Sequence, residues 1–279
     1  MIKLGEYQKL TVKRARALGF YLSDEEGDEV LLPLANVPED LGMEDEIEVF
    51  VYADSDDIPV ATTDKPLITL GKIASLKVSD VNKFGAFCDW GLPKDLLIPF
   101  RNQETRLKIG QNCIVYLYLD VLSDRLVGTC KLDQFLMKEA DDELEKGQEV
   151  DVLIRSKTDL GYNVIINQKY TGLVYKNEVP KPLRVGMSFK GYVKPIRDDK
   201  KIDISLTPIG HQSIEPNAQK ILEKLKANEG FLPFTDKSDP NLIREEFGIS
   251  KKLFKKAIGN LYRQKIIEFK GDGIILKKL

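Results

Sequence analysis

Apolar and polar residues alternate in short runs over the first two hundred positions, and the runs recur. The chain reads LGFYLSDEEGDEVLLPL from Leu18, FGAFCDWGLPKDLLIPF from Phe84 and LGYNVIINQKYTGLVYK from Leu160. Spacings of 66 and 76 residues are too long for a solenoid unit, so each copy predicts a whole small domain. In the second copy, 71–81 alternates weakly, 86–90 alternates cleanly and 96–99 is a short apolar run. Two more strands, 114–121 and 126–132, follow a gap rich in Asn, Gln and Arg. Five strands with the longer gap after the third predict a small Greek-key barrel of the OB type. The first and third copies fit the same template. Their closing strands read VATT after Pro59 and IDISLTP after Lys201, each behind an Asp-rich turn, at 54–57 and 197–200.

From Glu215 the pattern changes to a helical period. Ala218, Ile221, Leu222 and Leu225 fit one helix face. A second helix is predicted from the cap Asp239 and Pro240 through Phe247, ending at Gly248, and a third starts at the cap Ser250. IIEFKGDGIIL at 266–276 reads as two strands around a Lys270-Gly271-Asp272-Gly273 turn. Three helices and a terminal hairpin predict a winged helix. The fold class is therefore mainly β with a C-terminal α+β domain. Its expected parts are OB-type five-stranded barrels at 1–64, 65–135 and 146–210, then a winged-helix domain at 215–279.

Side-chain alternation says which residues face outward. In the second strand of the second copy, Ala86, Cys88 and Trp90 share one face, while Phe87 shares the other with Asp89. A carboxylate marks that other face as wet, so Phe87 is expected at the surface. The same reading puts Tyr21 beside Ser23 and Asn163 beside Asn167 on outward faces. Outward aromatics form a base-stacking platform. Phe84 precedes Gly85; strict alternation opposes the two rings, whereas a bulge or bend at the glycine brings both to one surface. Lys83, Lys94, Arg101 and Arg106 add cations to the same barrel, as a charged, stackable polymer requires. In the third helix, at 100° per residue, Leu253, Phe254, Ala257, Ile258 and Leu261 occupy one arc. Lys251, Lys252, Lys255, Lys256 and Arg263 occupy the opposite one, with Gly259 among them. In helix-turn-helix folds the equivalent helix contacts nucleic acid.

Charge sharpens this division. The net charge is −2, yet residues 1–63 carry 5 basic and 15 acidic side chains, whereas 211–279 carry 14 and 9. Residues 65–135 hold 10 against 7 and 147–210 hold 11 against 7. The first domain repels polyanions and the other three attract them. With 31% charged residues and no apolar run near eighteen, no membrane span is expected. The amino terminus lacks the apolar core and cleavage site of a secretory signal, so a cytoplasmic location is expected. Cys88, Cys113 and Cys130 contain no close pair and are expected as free thiols rather than a disulfide or zinc site. The only histidine, His211, falls between the expected domains, which excludes His-based triads and multi-histidine metal sites. The Asp-rich turns at 54–57 and 198–199 invite a two-metal nuclease, but Asp is ordinary turn chemistry there. No phosphate-binding loop or dinucleotide fingerprint is present. The expectation is a non-enzyme without cofactor or metal.

FGAF at 84–87, TGLVY at 171–175 and KIDISLTP at 201–208 resemble the repeated pattern of the S1-type RNA-binding domain. The resemblance implies RNA-facing aromatics at Phe84 and Phe87 and a further ring at the end of strand three. That position holds Pro33, Pro99 and Tyr175, so only the third copy keeps a ring there. The whole order of three S1-like barrels and a winged helix resembles the conserved virulence factor B family. This implies a bacterial RNA-binding regulator, acting on gene expression after transcription, with single-stranded RNA as its partner. The candidate contacts are Tyr21, Lys83, Phe84, Phe87, Lys94, Arg101, Lys157, Tyr175, Lys176, Lys194 and Arg197, with Lys251, Lys252, Lys255, Lys256 and Arg263 on the third helix. The alternative is a protein-interaction scaffold of the ribosome or RNA-degradation machinery, and DNA binding by the winged helix stays open.

Overall fold

The computed structural model describes residues 1–179, 181–208, 216–264 and 266–277. The first copy folds as β1 (Tyr7–Arg16), β2 (Gly19–Ser23), β3 (Glu29–Pro33), β4 (Glu46–Ala53) and β5 (Pro59–Thr62). These strands close into a barrel in the order β1-β2-β3-β5-β4. The second copy comprises β6 (Ile73–Val81), β7 (Gly85–Asp89), β8 (Leu96–Pro99), β9 (Asn112–Asp120) and β10 (Arg125–Thr129). The third comprises β11 (Glu149–Lys157), β12 (Gly161–Ile166), β13 (Tyr170–Tyr175), β14 (Ser188–Val193) and β15 (Ile202–Ser205), and it closes like the first. In each copy the longer connection follows the third strand, as expected, and it opens with a short 3-10 turn.

The second copy differs at one seam. Its sheet runs β10-β9-β6-β7-β8, without a ladder between β8 and β10. The equivalent joint is a short parallel pairing in the other two barrels, through Leu31 and Val60 in one and Gly172 and Leu173 with Ile202 and Asp203 in the other.

Two sequence features explain the tight curvature. Each first strand carries a register shift opposite the second strand, between Val12 and Arg14, Val78 and Asp80, and Ile154 and Ser156. Such bulges increase local twist and bend the sheet toward closure. Each copy also places its recurring glycine where the neighbouring strand crowds it. A Cβ at Gly19, Gly85 or Gly161 would collide with the carbonyl oxygen of Leu32, Ile98 or Val174. The repeat that is visible in sequence is therefore a steric requirement of the barrel.

The inward face follows the alternation: Ala86 and Cys88 are fully buried and Trp90 nearly so. Cys88 and Cys113 are buried free thiols with sulfurs 3.6 Å apart, and Cys130 is half-buried. Ser23 departs from its expected outward position and is buried. Its hydroxyl donates to the Asp24 carbonyl, where the 24–28 turn folds back through Asp24 N–H to Asp28 O (3.1 Å).

Residues Met1–Leu206 form one compact unit and Thr207–Leu279 a second. Within the first unit the barrels share apolar contacts. Trp90 meets Phe50 and Tyr52 of the first barrel edge-on, with centroids 5.9 and 6.2 Å apart. Buried Ile73, Ile114, Leu132, Leu136, Leu153 and Ile165 join the second and third barrels. There Gln168 acts as a strand partner, accepting from Ile73 N–H (2.6 Å) and donating to its carbonyl (2.9 Å). Ahead of the third barrel, the Tyr170 hydroxyl and Lys169 hold the Asp141 carboxyl down at about 2, which fastens the connecting segment to β13.

The second unit contains α1 (Pro216–Ala227), β16 (Phe231–Leu232), α2 (Pro240–Phe247), α3 (Lys251–Arg263), β17 (Ile267–Lys270) and β18 (Gly273–Leu276). The predicted caps are in place. Asp239 accepts from Asn241 N–H (2.7 Å), Ser250 accepts from Leu253 N–H (3.4 Å), and Gly248 ends α2 in the left-handed region at φ 69°. Phe254, Ala257, Ile258 and Leu261 are buried, but Leu253 is 41% exposed because it lies at the margin of the apolar arc. The short β16, which pairs with β18, has no signal in the sequence: two residues carry no periodicity. His211 and the expected domain joint at 210–215 lie outside the described residues.

Candidate nucleic-acid interface

Phe84 and Phe87 line one cavity of about 280 Å³ on the second barrel. The bulge lies on β6 rather than at Gly85, so a bent glycine is not what brings the rings together. Phe84 instead precedes β7, in a turn held by its N–H to Asn82 Oδ1 (2.8 Å), and is therefore free of strand alternation. Its ring is 61% exposed, with the Lys83 ammonium 5.1 Å from the centroid. Phe87 is half-buried, standing beside its β8 partner Leu97. Ser79, at the bulge, bonds the Phe87 carbonyl (3.0 Å) and the Asp95 carboxylate (2.6 Å), fixing the cavity wall.

The cavity runs along the seam that lacks a ladder. Leu96 and Leu97 of β8 and Arg125, Leu126 and Val127 of β10 form its sides. Its remaining wall comes from the first barrel, through Ala53, Ser55 and Asp57. The Asp57 carboxylate accepts from Lys94 Nζ (3.0 Å) through one oxygen and from Arg125 through the other. Lys94 also donates to the Asp54 carbonyl. The Lys94 ammonium first, and Arg125 with it, holds the Asp57 carboxyl below its ordinary range. Asp54 is consumed by its own turn, accepting from Asp56 and Ile58 N–H (2.9 and 3.0 Å).

The other expected contacts are dispersed over the barrels. Tyr21 is half-buried beneath the Arg14 guanidinium, 4.3 Å from its centroid, and Arg14 in turn pairs with Glu29. Arg101 pairs with Asp120 (3.1 Å) outside the Phe84 cavity. Tyr175 sits under Lys194 (5.2 Å) and donates to Asp203 (3.3 Å), while Lys194 pairs with Glu178 (2.6 Å). Lys157 and Lys176 are exposed. Arg197 lines a separate groove of about 770 Å³ with Leu160, Asn163, Leu173 and Lys201, the third barrel's counterpart of the Phe84 site. Asn163 replaces the Phe87 ring there, so that groove offers hydrogen bonds in place of stacking. Arg125 and Asp57 were missed in sequence; the only signal for Arg125 was its place at the start of a strand bordering the aromatic face.

On α3, Lys252, Lys255, Lys256 and Arg263 are exposed and Lys251 half-buried. Lys251 donates to the Lys237 carbonyl (3.3 Å), Lys255 faces Asp236 (3.5 Å) and Arg263 Nε bonds the Gly259 carbonyl (3.3 Å). Space around Gly259 is open, so no packing among the described residues demands a glycine there.

Sequence comparison assigns the parts. A model of the S1 domain matches 4–64 and 70–131, and a model of the CvfB-like winged helix domain matches 219–276. The third barrel follows the same strand order as the first. The chain is thus a tandem S1-domain protein with a winged helix, and both are non-catalytic, nucleic-acid-binding domain classes. Conserved virulence factor B of Staphylococcus epidermidis is 27% identical over 99% of this chain and 95% of its own length. That of Staphylococcus aureus strain N315 is 28% identical over 99% and 94%. Over nearly its whole length the chain is thus similar to proteins of the conserved virulence factor B family. A crystal structure of a multidomain protein with nucleic acid binding domains from Streptococcus pneumoniae aligns over 98% of both chains, at 24% identity and a TM-score of 0.47.

Proposed function

We propose that this chain is a non-catalytic RNA-binding protein that regulates gene expression after transcription, and that single-stranded RNA is its ligand. The observation that carries the reading is the pairing of an exposed Phe84 ring under Lys83 with Phe87 at one cavity. Most of the Phe84 side chain is open to water, with the Lys83 ammonium over its ring. A splayed base gains about 1–3 kcal/mol by stacking on such a ring. Duplexes keep their bases stacked on one another, so the site favours single strands. The cations of α3 add attraction for phosphate that is independent of sequence.

Titration of the intact protein with labelled single-stranded RNA, duplex RNA and single-stranded DNA at two salt concentrations tests this. Single-stranded RNA is expected to bind at least tenfold tighter than duplex RNA at the higher salt, where stacking persists and phosphate attraction fades. Equal affinities for single strand and duplex at that salt would refute the reading.

A further inference from the structure

The Phe84 cavity is aromatic, yet its charges are already matched. Two carboxylates, Asp57 and Asp95, face two cations, Lys94 and Arg125. Asp95 accepts from Ser79 (2.6 Å), whereas Asp57 divides its two oxygens between Lys94 and Arg125. That is the arrangement a bound phosphate would adopt: one anion receiving charge-assisted hydrogen bonds from two cations at once. The anion comes from a different barrel, 37 residues from Lys94 and 68 from Arg125. It is carried by a turn that the chain builds with care. Asp54 caps the turn with two backbone bonds, and Asp57 sits in the left-handed region at φ 61°, where Asp and Asn are among the tolerated residues.

We infer that Asp57 is a specificity-determining residue of the RNA site: it occupies Lys94 and Arg125 in place of phosphate, so that the cavity selects stacked bases and discriminates against bare polyanion. The inference rests on the proposed binding of RNA at Phe84 and Phe87. A ligand that offers only phosphate must displace a covalently tethered competitor at high local concentration. A ligand that offers bases binds the apolar walls and leaves the ion pairs intact. The acidic first barrel, which repels polyanions as a whole, thereby gains a particular task at the second barrel's site.

The test is Asp57→Asn, which suits the left-handed backbone and removes only the charge. Asp56→Asn is the control, because it changes the net charge equally, in the same turn, at a residue with no ion pair among the described residues. The probes are a labelled ten-residue oligouridine and an abasic ribose-phosphate chain of the same length. The wild type and Asp56→Asn are expected to prefer oligouridine by the same ratio. Asp57→Asn is expected to bind the abasic chain about three- to tenfold tighter, with a log–log salt slope steeper by about 1, as one or two phosphates are engaged at ~0.7 each. Its oligouridine-to-abasic ratio falls accordingly.

An unchanged ratio in Asp57→Asn, or an equal change in Asp56→Asn, overturns the inference. Trp90 fluorescence during denaturation checks that the barrel junction survives; if Asp57→Asn loosens it, Asp57→Gly, which also fits φ 61°, repeats the measurement. Phe84→Ala separates the placement of RNA at the cavity from the role of Asp57. If it leaves oligouridine binding intact, the placement of RNA at this cavity fails. If it weakens binding while Asp57→Asn changes no ratio, only the role of Asp57 fails.

Discussion

Single-stranded RNA binding should fall about thirtyfold or more when Phe84 and Phe87 are replaced together by alanine. Two stacked bases at ~1–3 kcal/mol each set that scale, since about 1.4 kcal/mol is a factor of ten. The loss should persist at high salt, because stacking releases no counterions. The two rings also separate binding from folding. Phe84 is mostly exposed, so its truncation removes little buried surface and should leave stability nearly unchanged. Phe87 is half-buried beside Leu97, so its truncation carries a modest cost to stability as well. Trp90, the single tryptophan, lies inside the same barrel, and its fluorescence reports that cost directly. Binding isotherms of Phe84→Ala, Phe87→Ala and the double variant, with the Trp90 denaturation curve of each, measure both effects.

Neutralising Lys251, Lys252, Lys255 and Lys256 with glutamine should flatten the salt dependence of RNA binding. Each phosphate contact contributes about 0.7 to the log–log slope for a single strand, so losing three or four lowers it by roughly 2–3. Variant and wild type should therefore converge near 1 M salt and differ by about a hundredfold or more at 0.1 M. Glutamine is a good helix former, and the Ser250 cap and buried Phe254, Ala257, Ile258 and Leu261 are untouched. Within the chain the change removes exposed interactions such as that of Lys255 with Asp236, which are worth little to stability. Titrations across that salt range check the expectation; an unchanged slope would place the phosphate-binding groups elsewhere.

The fold was legible because its determinants are local. Alternation marked Ala86, Cys88 and Trp90 as inward, and the recurring glycine that opens each second strand marked the repeat, although its steric reason shows only in the structure. Asp239, Gly248 and Ser250 announced helix ends by the hydrogen bonds and backbone angles that they supply. Leu253 shows the limit of the helical period: an angular position at the edge of an arc does not say whether a neighbour covers it. The site was legible only in part. Phe84 and Phe87 stood out as aromatics beside a glycine, but their shared cavity depends on Phe84 lying in a turn, outside the period-two rule.

Asp57 and Arg125 were out of reach for a different reason. Their pairing spans 68 residues and two barrels, and no periodicity within one copy encodes it. The same holds for Trp90, whose inward direction was readable while its packing against Phe50 and Tyr52 of the first barrel was not. Tyr21 and Tyr175 illustrate the converse. Each is an aromatic at the expected position, but Arg14 covers the one, and Lys194 and Asp203 engage the other. Sequence places a ring on a face; long-range partners decide whether a base can reach it.

In the proposed complex, bases of a single strand lie on the Phe84 and Phe87 rings of the second barrel. Photo-crosslinking of the intact protein to 4-thiouridine RNA, followed by mass spectrometry of the joined peptides, tests it most directly. Crosslinks are expected within residues 84–97, and their loss is expected in the Phe84→Ala, Phe87→Ala double variant. Crosslinks confined to the other barrels or to the winged helix, with residues 84–97 unmodified, would contradict it.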